Sequence, residues 1–574
     1  MNHLKTVASK HKSLIALFIL TGLVWTFLQN FAPLYFQTVV DNFTDGTLSA
    51  VNIAVYGTTL ISLYIMGYLV NYPWDKLSRS IEQSLKLTAL RKISVIDYQA
   101  YAKLGTGMLI QRIENGSSAG KRILFDFYLR LAGELLPSMI FSIVFVFFIN
   151  RTVMVVIVFS YVVVFAVSNI LLKVLYKVKE RILVNEEKFN HFLVRGFMEM
   201  VTFRINRRFP REIQKTEIAS NEIVSSAVKI RMAHEAFFTV FAILVGFVKI
   251  GIIIYGWTTG ELTIGQIVAL ILLVDNAYQP IAIFNVDYVA YKLDKIAFAR
   301  YAEFLDSKED SRLLQGNTVS ILNGNILFSK IGFSYGDREI FNDFNLSIGS
   351  GETIAFVGES GSGKSTAVKL LAGLLQPDEG NVAVDNFDLS EINLNSYYNH
   401  IAYLSQEPSV FNGTLRENLV FDEEVDDIAL TNALAGAGLD ELFSKLDMGL
   451  DTPLGERGIS LSGGERQQLA LARLWFSNAR IVILDEATSA IDNLTEESVM
   501  KNVMALLKGK TVIAVAHRLD SIKTFDNIIL FQDGRIIEQG RFADLIDKRQ
   551  SFYELYNRLK SEKGARNEPY NERS

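Results

Sequence analysis

Six long apolar stretches in the first half of the chain constrain it more than any other feature. A hydrocarbon core of about 30 Å takes roughly 20 helical residues to cross. Ser13–Val40, Ile53–Tyr72, Leu131–Ile149, Thr152–Tyr176, Ala236–Trp257 and Thr263–Phe284 reach or approach that length. Lipid offers no hydrogen bonds to a bare backbone, so each stretch reads as a helix. Met1 to Lys12 is short and basic, and the apolar run behind it continues well past a signal-peptide core of roughly 7–15 residues. It reads as the first span rather than a cleaved leader.

Loop charge sets the orientation. Lys5, Lys10 and Lys12 precede the first stretch; Lys76, Arg79, Lys86, Arg91, Lys92, Arg112, Lys121 and Arg122 follow the second; Lys177 to Lys215 follows the fourth with a similar set. The loops after the first, third and fifth stretches are short and carry few basic residues. Basic loops stay cytoplasmic, so both termini are expected there, in a multi-pass protein of the cell membrane. The two long loops carry few turn signals, and unstructured loops of such length are uncommon. The membrane helices are therefore expected to run on into the cytoplasm. Lys249 and Asp275 fall inside the fifth and sixth stretches, about 12 Å and 18 Å from the outer ends at ~1.5 Å per residue. Charges at that depth are costly and commonly functional, so the two are candidates for contact with a transported substrate.

The second half has a different texture. Short β-like runs (Ile321–Phe328, Glu352–Val357, Asn381–Val384, Ile401–Leu404, Ile481–Leu484, Thr511–Ala516, Asn527–Phe531) alternate with helical segments. That alternation indicates a largely parallel sheet. The expected fold is thus an α-helical six-span membrane domain (1–305), a polar linker (306–320), an α/β P-loop NTPase domain (321–560) and a charged, disordered tail (561–574). The net charge of −5 argues against a nucleic-acid partner. The absence of cysteine excludes disulfides, thiolate metal sites and cysteine nucleophiles.

Chemistry concentrates in this second half. Gly358-Glu359-Ser360-Gly361-Ser362-Gly363-Lys364-Ser365-Thr366 follows the apolar run Ile354–Val357 and precedes the helical run Ala367–Leu375. This is the strand–loop–helix setting of a phosphate-binding loop. Its glycines let backbone N–H groups surround a β-phosphate, and the helix start adds favourable potential. Lys364 is placed for the β- and γ-phosphates of ATP and the Ser365 hydroxyl for Mg²⁺. Ile481-Val482-Ile483-Leu484 ends in Asp485 and Glu486, acids at the carboxyl end of a central strand, where open α/β sheets bind ligands. Asp485 suits Mg²⁺, and Glu486 suits polarisation of an attacking water. Leu461-Ser462-Gly463-Gly464-Glu465 reads as a second anion-binding helix start, with Ser462 as the N-cap.

Together these residues resemble an ATP-binding cassette (ABC) transporter of the exporter type, a half-transporter, over all but the C-terminal tail. The resemblance makes Leu461–Glu465 the family signature, with Glu465 where glutamine is more usual. It makes Gln406 the Mg²⁺-touching residue of its loop, His517 the switch histidine at the γ-phosphate, and Ser489-Ala490-Ile491-Asp492 the dimer-contact loop. Tyr335 stands where the family stacks an aromatic ring on adenine, and Gly455-Glu456-Arg457-Gly458 resembles a loop of exporters. The resemblance implies a second half-transporter, identical or not, with Ser462, Gly463, Gly464 and Asp492 of one cassette closing on ATP held by the other. It implies that loop tips near Thr106–Glu114 and Thr202–Arg211 press on the cassettes, and that ATP hydrolysis drives export of an amphipathic peptide, drug or lipid. Import through the same fold, as of a siderophore-like compound, and a non-transporting ATP-gated regulator are the alternatives. Glu486 and His517 favour turnover over mere gating.

Overall fold

A computed structural model describes residues 2–104, 106–161, 163, 189, 192, 195–197, 199–320, 322–421, 424–455, 461–516 and 518–566. The chain divides into two compact units, one of Met1–Ser94 with Leu104–Ser307 and one of Val95–Lys103 with Lys308–Ser574.

The first unit is helical. Its elements are α1 (Asn2–Lys10), α2 (Lys12–Thr44), α3 (Ala50–Ile93), α4 (Tyr98–Leu104), α5 (Thr106–Lys121), α6 (Leu136–Ile149), α7 (Arg151–Tyr161), α8 (Met200–Ile205), α9 (Phe209–Thr259) and α10 (Ile264–Leu305). Most of α4 belongs to the second unit. Five helices among the described residues are long and apolar enough to cross a membrane: Lys12–Thr44, Ala50–Ile93, Leu109–Ile149, Phe209–Thr259 and Ile264–Leu305. The fourth expected stretch, Thr152–Tyr176, is described as the apolar helix α7 and then passes outside the described residues. The 44, 51 and 42 residues of α3, α9 and α10 correspond to about 66, 77 and 63 Å, twice a bilayer core. A π-helical stretch, Arg122–Leu129 and Leu131–Leu135, precedes Pro137 at the start of α6. The unit packs around α10, whose Leu270, Leu273, Val274, Ala277 and Tyr278 are fully buried. Many apolar side chains on the other faces are exposed, such as Tyr68, Phe148, Phe247 and Trp257, as lipid-facing helices require.

The first loop turns earlier than the resemblance implied. α3 stops at Ile93 and α5 already begins at Thr106, so the reversal precedes Thr106 rather than falling at Thr106–Glu114. Gly107 lies inside a helix; the break comes instead where Ile96 forms an antiparallel bridge with Glu309. The second turn does lie at Asn206–Arg208. Arg207 adopts a left-handed φ of 53° and Pro210 sits in the first turn of α9, where a missing N–H costs nothing.

The second unit holds two sheets. β1 (Ile326–Tyr335), β2 (Arg338–Ile348), β4 (Glu379–Val384) and β5 (Phe387–Asp388) form an antiparallel sheet in the order β2-β1-β4-β5. β3 (Thr353–Gly358), β6 (Ile401–Leu404), β7 (Ile481–Asp485), β8 (Thr511–Val515), β9 (Asn527–Gln532) and β10 (Arg535–Gly540) form the other, ordered β10-β9-β3-β8-β7-β6. It is parallel except for β10. β7 and β8 are buried at every position, as the uninterrupted apolar runs demand. The helices are α11 (Lys364–Leu371), α12 (Leu394–Tyr398), α13 (Leu415–Val420), α14 (Asp427–Gly436), α15 (Asp440–Ser444), α16 (Gly463–Ala472), α17 (Asn493–Leu506), α18 (Phe542–Lys548) and α19 (Ser551–Arg566). α19 runs six residues into the tail expected to be disordered. It is anchored through Phe552, which is fully buried, and through Leu555, Tyr556 and Leu559, which pack on the same core.

Candidate active site

Three strand ends gather the site. β3, β7 and β8 lie side by side, so the loop after β3 and the acids ending β7 emerge at one edge of the sheet. The loop from Gly358 to Gly363 turns back on itself. Gly358 and Gly363 have φ values of 142° and 110°. A Cβ on Gly358 would stand 2.2 Å from the Phe531 carbonyl oxygen, and one on Gly363 would stand 2.8 Å from the Phe341 ring, so only glycine fits either place. Lys364 is buried and folds onto this loop, its Nζ donating to the carbonyls of Gly358 at 3.0 Å and Glu359 at 2.7 Å and to Ser362 Oγ at 3.4 Å. Burial pushes the Lys364 ammonium below the usual lysine range, against the pull of Glu486 and Asp485. Anionic phosphate oxygens are the partners such a loop is shaped for. Ser365 is exposed on the first turn of α11, while Thr366 is buried. Glu359 points outward and pairs with Arg558 of α19 at 2.8 Å.

Asp485 is 6% exposed. Burial raises its carboxyl above the ordinary range, and the neighbouring Glu486 adds to the rise; the phenol of Tyr403, which donates to Oδ2 at 3.2 Å, works against it. Glu486 has φ 54°, a left-handed backbone that costs energy outside glycine and gathers at functional sites. Its Oε2 accepts from Gln406 Nε2 at 2.7 Å. Ser365, Gln406 and Asp485 offer a hydroxyl, an amide oxygen and a carboxylate, hard oxygen donors suited to Mg²⁺. Among the described residues no group of three or more His, Asp or Glu could hold a metal by itself.

Ser462 caps α16. Its Oγ accepts from Glu465 N at 3.2 Å, and Glu465 Oε2 accepts from Ser462 N at 2.6 Å. The unusual Glu465 thus closes a capping box, a role that needs only a side-chain acceptor at that place. Asp492 caps α17 by accepting from Leu494 N and Thr495 N, both at 3.1 Å, and these bonds lower its carboxyl below the usual range. Tyr335 ends β1, half-exposed, opposite Arg338 across the β1–β2 hairpin. The Arg338 guanidinium lies 3.5 Å from where a Cβ on Gly361 would be, so this hairpin sits over the phosphate loop. His517 and residues Glu456, Arg457 and Gly458 lie outside the described residues.

One residue that motif reading passed over ties the site together. Gln467, buried on α16, donates from Nε2 to Ser489 Oγ at 3.0 Å, to the Gln406 carbonyl at 3.3 Å and to the Glu486 carbonyl at 3.4 Å. Its Oε1 accepts from Ala490 N at 2.8 Å. A buried polar residue two places beyond the signature glutamate was the available signal. In the membrane unit, Lys249 and Asp275 meet, with Nζ at 2.6 Å from Oδ1 and 2.8 Å from Oδ2.

Such a fold and site define a P-loop nucleotide-binding domain in one chain with membrane-crossing helices. Comparison with known proteins carries this further. The family described as the ABC transporter transmembrane region matches residues 15–277, and the ABC transporter family matches 341–489. The uncharacterized ABC transporter ATP-binding protein YwjA of Bacillus subtilis (strain 168) is 36% identical over 359 residues, 62% of this chain and 60% of that one. The ATP-dependent lipid A-core flippase of Alcanivorax borkumensis is 31% identical over 396 residues, 68% of each chain. The chain spans about half the length of the leading curated relatives it matches, 45–60% of each. A solved structure of a bacterial Atm1-family ABC exporter with ATP bound shares the fold, with a TM-score of 0.82 at 23% identity over 96% of this chain and 99% of that one. The chain belongs to the ABC transporter family, as a multi-pass membrane domain fused to an ATP-binding cassette.

Proposed function

We propose that this chain is one half of a dimeric exporter that hydrolyses ATP to move an amphipathic compound out across the cell membrane, with its termini and cassette in the cytoplasm. The observation that carries the reading is the convergence of Lys364, Asp485 and Glu486 at one sheet edge, with the Gln406 amide on the Glu486 carboxylate. Glu486 polarises the attacking water and Gln406 orients its carboxylate. Lys364 leaves its loop carbonyls for the β- and γ-phosphates, and the loop amides supply the remaining donors. Ser365, Gln406 and Asp485 would hold a Mg²⁺ ion, which would supply positive charge beside the phosphate oxygens. Tyr335 stacks on adenine, and His517 contacts the γ-phosphate. Ser462, Gly463 and Gly464 present an open helix start to ATP on a second half-transporter, and Asp492 lines the same interface.

The Lys249–Asp275 pair lies among membrane helices and is the candidate contact for polar groups of the substrate. Glu486→Gln is expected to bind ATP and to hydrolyse it at least ~100-fold more slowly through loss of general-base help. ATP-dependent accumulation in inside-out vesicles is expected for the unmutated chain and not for this variant. Uptake in the opposite direction would replace export with import, and unchanged turnover would require another base. Neutralising Asp275 is expected to abolish substrate stimulation of the ATPase; unaltered stimulation would remove the pair from the substrate path.

A further inference from the structure

We propose that Tyr403 is a positioning residue that links the turn of the first long loop, Val95–Lys103, to the Mg²⁺-binding carboxylate of Asp485. The inference rests on the ATP-hydrolysing reading of the site. Val95–Lys103 belongs to the same compact unit as the cassette, although it joins α3 to α5 in the chain. It is fixed there by backbone. Asp97 N donates to the Lys308 carbonyl at 3.0 Å, Asp310 N donates to the Val95 carbonyl at 2.9 Å, and Ile96 bridges Glu309. Tyr98, the first residue of α4, packs on the main apolar core of the cassette, and so does Tyr403. The two rings thus share one apolar core.

Tyr403 sits three residues before Gln406, on the strand paired with β7, and its hydroxyl donates to Asp485 Oδ2 at 3.2 Å. One carboxylate oxygen is thereby engaged and the orientation of the other is set. A partner of this kind around a metal-ligating carboxylate typically changes metal affinity or activity about 10–100-fold when removed. A second route runs from the same anchor. Asp310 pairs with the buried Arg312 at 2.7 Å, and Arg312 donates to the Gly373 carbonyl at 2.8 Å, just beyond the helix that starts at Lys364. Val95–Lys103 is therefore joined to the acid through a shared apolar core and to the helix that follows the phosphate loop through hydrogen bonds.

The test uses the full chain in detergent or nanodiscs, in the Glu486→Gln background so that nucleotide persists, with a fluorescent ATP analogue titrated in Mg²⁺ and in EDTA. Tyr403→Phe deletes one hydroxyl and keeps the ring. It is expected to weaken binding in Mg²⁺ about tenfold or more and to leave binding in EDTA and the melting temperature unchanged. Tyr98→Ala is expected to shift binding in the same Mg²⁺-only way by a smaller factor, with Tyr98→Leu, which retains apolar bulk, lying between it and the unmutated chain. Equal loss in Mg²⁺ and EDTA, or no loss, in Tyr403→Phe would overturn the proposal. A Mg²⁺-only loss in Tyr403→Phe with none in Tyr98→Ala would overturn the link to the loop. Failure of the parent protein to bind nucleotide in either medium would overturn the cassette reading itself.

Discussion

The two units are held by different kinds of polar contact. In the membrane unit many hydroxyls bond back one turn along their own helix: Thr21 to Leu17, Thr26 to Gly22, Thr58 to Ala54 and Ser160 to Val156. In the cassette the decisive bonds join residues far apart in the chain, as Gln406 to Glu486, Tyr403 to Asp485 and Thr511 to the Gly324 carbonyl. Lipid rewards groups that satisfy themselves locally. A nucleotide site instead needs side chains from several loops fixed together, which a sheet edge with converging loops provides. Long-range polar contacts also join the membrane helices, some charged, as Arg122 with Asp294, Arg130 with Asp287 and Lys249 with Asp275, and some neutral, as Ser142 with Asn30 and Tyr301 with the Leu85 carbonyl.

If that contrast holds, one buried side chain in the cassette should matter more than several in the helices. Gln467→Ala would leave Ala490 N and the loop carbonyls without their partner, at about 1–3 kcal/mol for each buried group left unpaired. The expected outcome is a fall in kcat of about 100-fold or more, with nucleotide binding retained in steady-state and equilibrium assays. A near-normal kcat would break the picture of a single hub. In the membrane unit, Lys249→Leu leaves Asp275 alone, and a lone charge at mid-bilayer costs about 2.5–3.5 kcal/mol. Lower heat stability of the purified protein is expected, with recovery when the two residues are exchanged; no recovery would mean that position matters as well as pairing.

Helix contacts should show the same contrast through shape. A Cβ on Gly116 would stand 2.2 Å from the Cβ of Tyr301, which is fully buried and donates to the Leu85 carbonyl at 2.6 Å. Gly116→Ala is expected to cost about 1–3 kcal/mol of overpacking, seen as a lower melting temperature with cassette nucleotide affinity unaltered. Loss of nucleotide affinity would overturn that expectation.

The smallest effect concerns Asp485. Its folded carboxyl is raised by burial, so the folded state holds a proton that the unfolded chain releases near pH 4. Stability therefore declines as pH rises from that value through the raised folded one, and the ionised acid is a burden at neutrality. Asp485→Asn is expected to melt slightly higher than the parent at pH 7 without metal or nucleotide, the gain vanishing towards pH 4. A lower melting temperature at pH 7 would show that the Tyr403 bond outweighs burial.

Much of this was legible along the chain. The parallel strands β3, β6, β7, β8 and β9 were visible as apolar runs because both faces of such a sheet are covered. β2, β5 and β10 were not, because their exposed, mixed residues resemble turns until a neighbouring strand pairs with them. The first loop's turn, placed at Thr106–Glu114 by resemblance, comes earlier because the break is fixed by a bridge from Ile96 to Glu309, more than two hundred residues away. Asp492 and Ser462 read as interface residues from motifs, and the structure adds that each also caps a helix, Ser462 in a box closed by Glu465.

By itself the sequence determined that helices cross a membrane, that a P-loop follows β3, and that two acids end a central strand. Each depends on local periodicity or a short motif whose physics is complete within a dozen residues. Only the tertiary structure decided that Gln467 joins three loops, that Tyr403 reaches Asp485, that Lys249 meets Asp275, and that Val95–Lys103 belongs with the cassette. Those are contacts across the fold, where pairing depends on which surfaces the packed core brings within a hydrogen bond's reach.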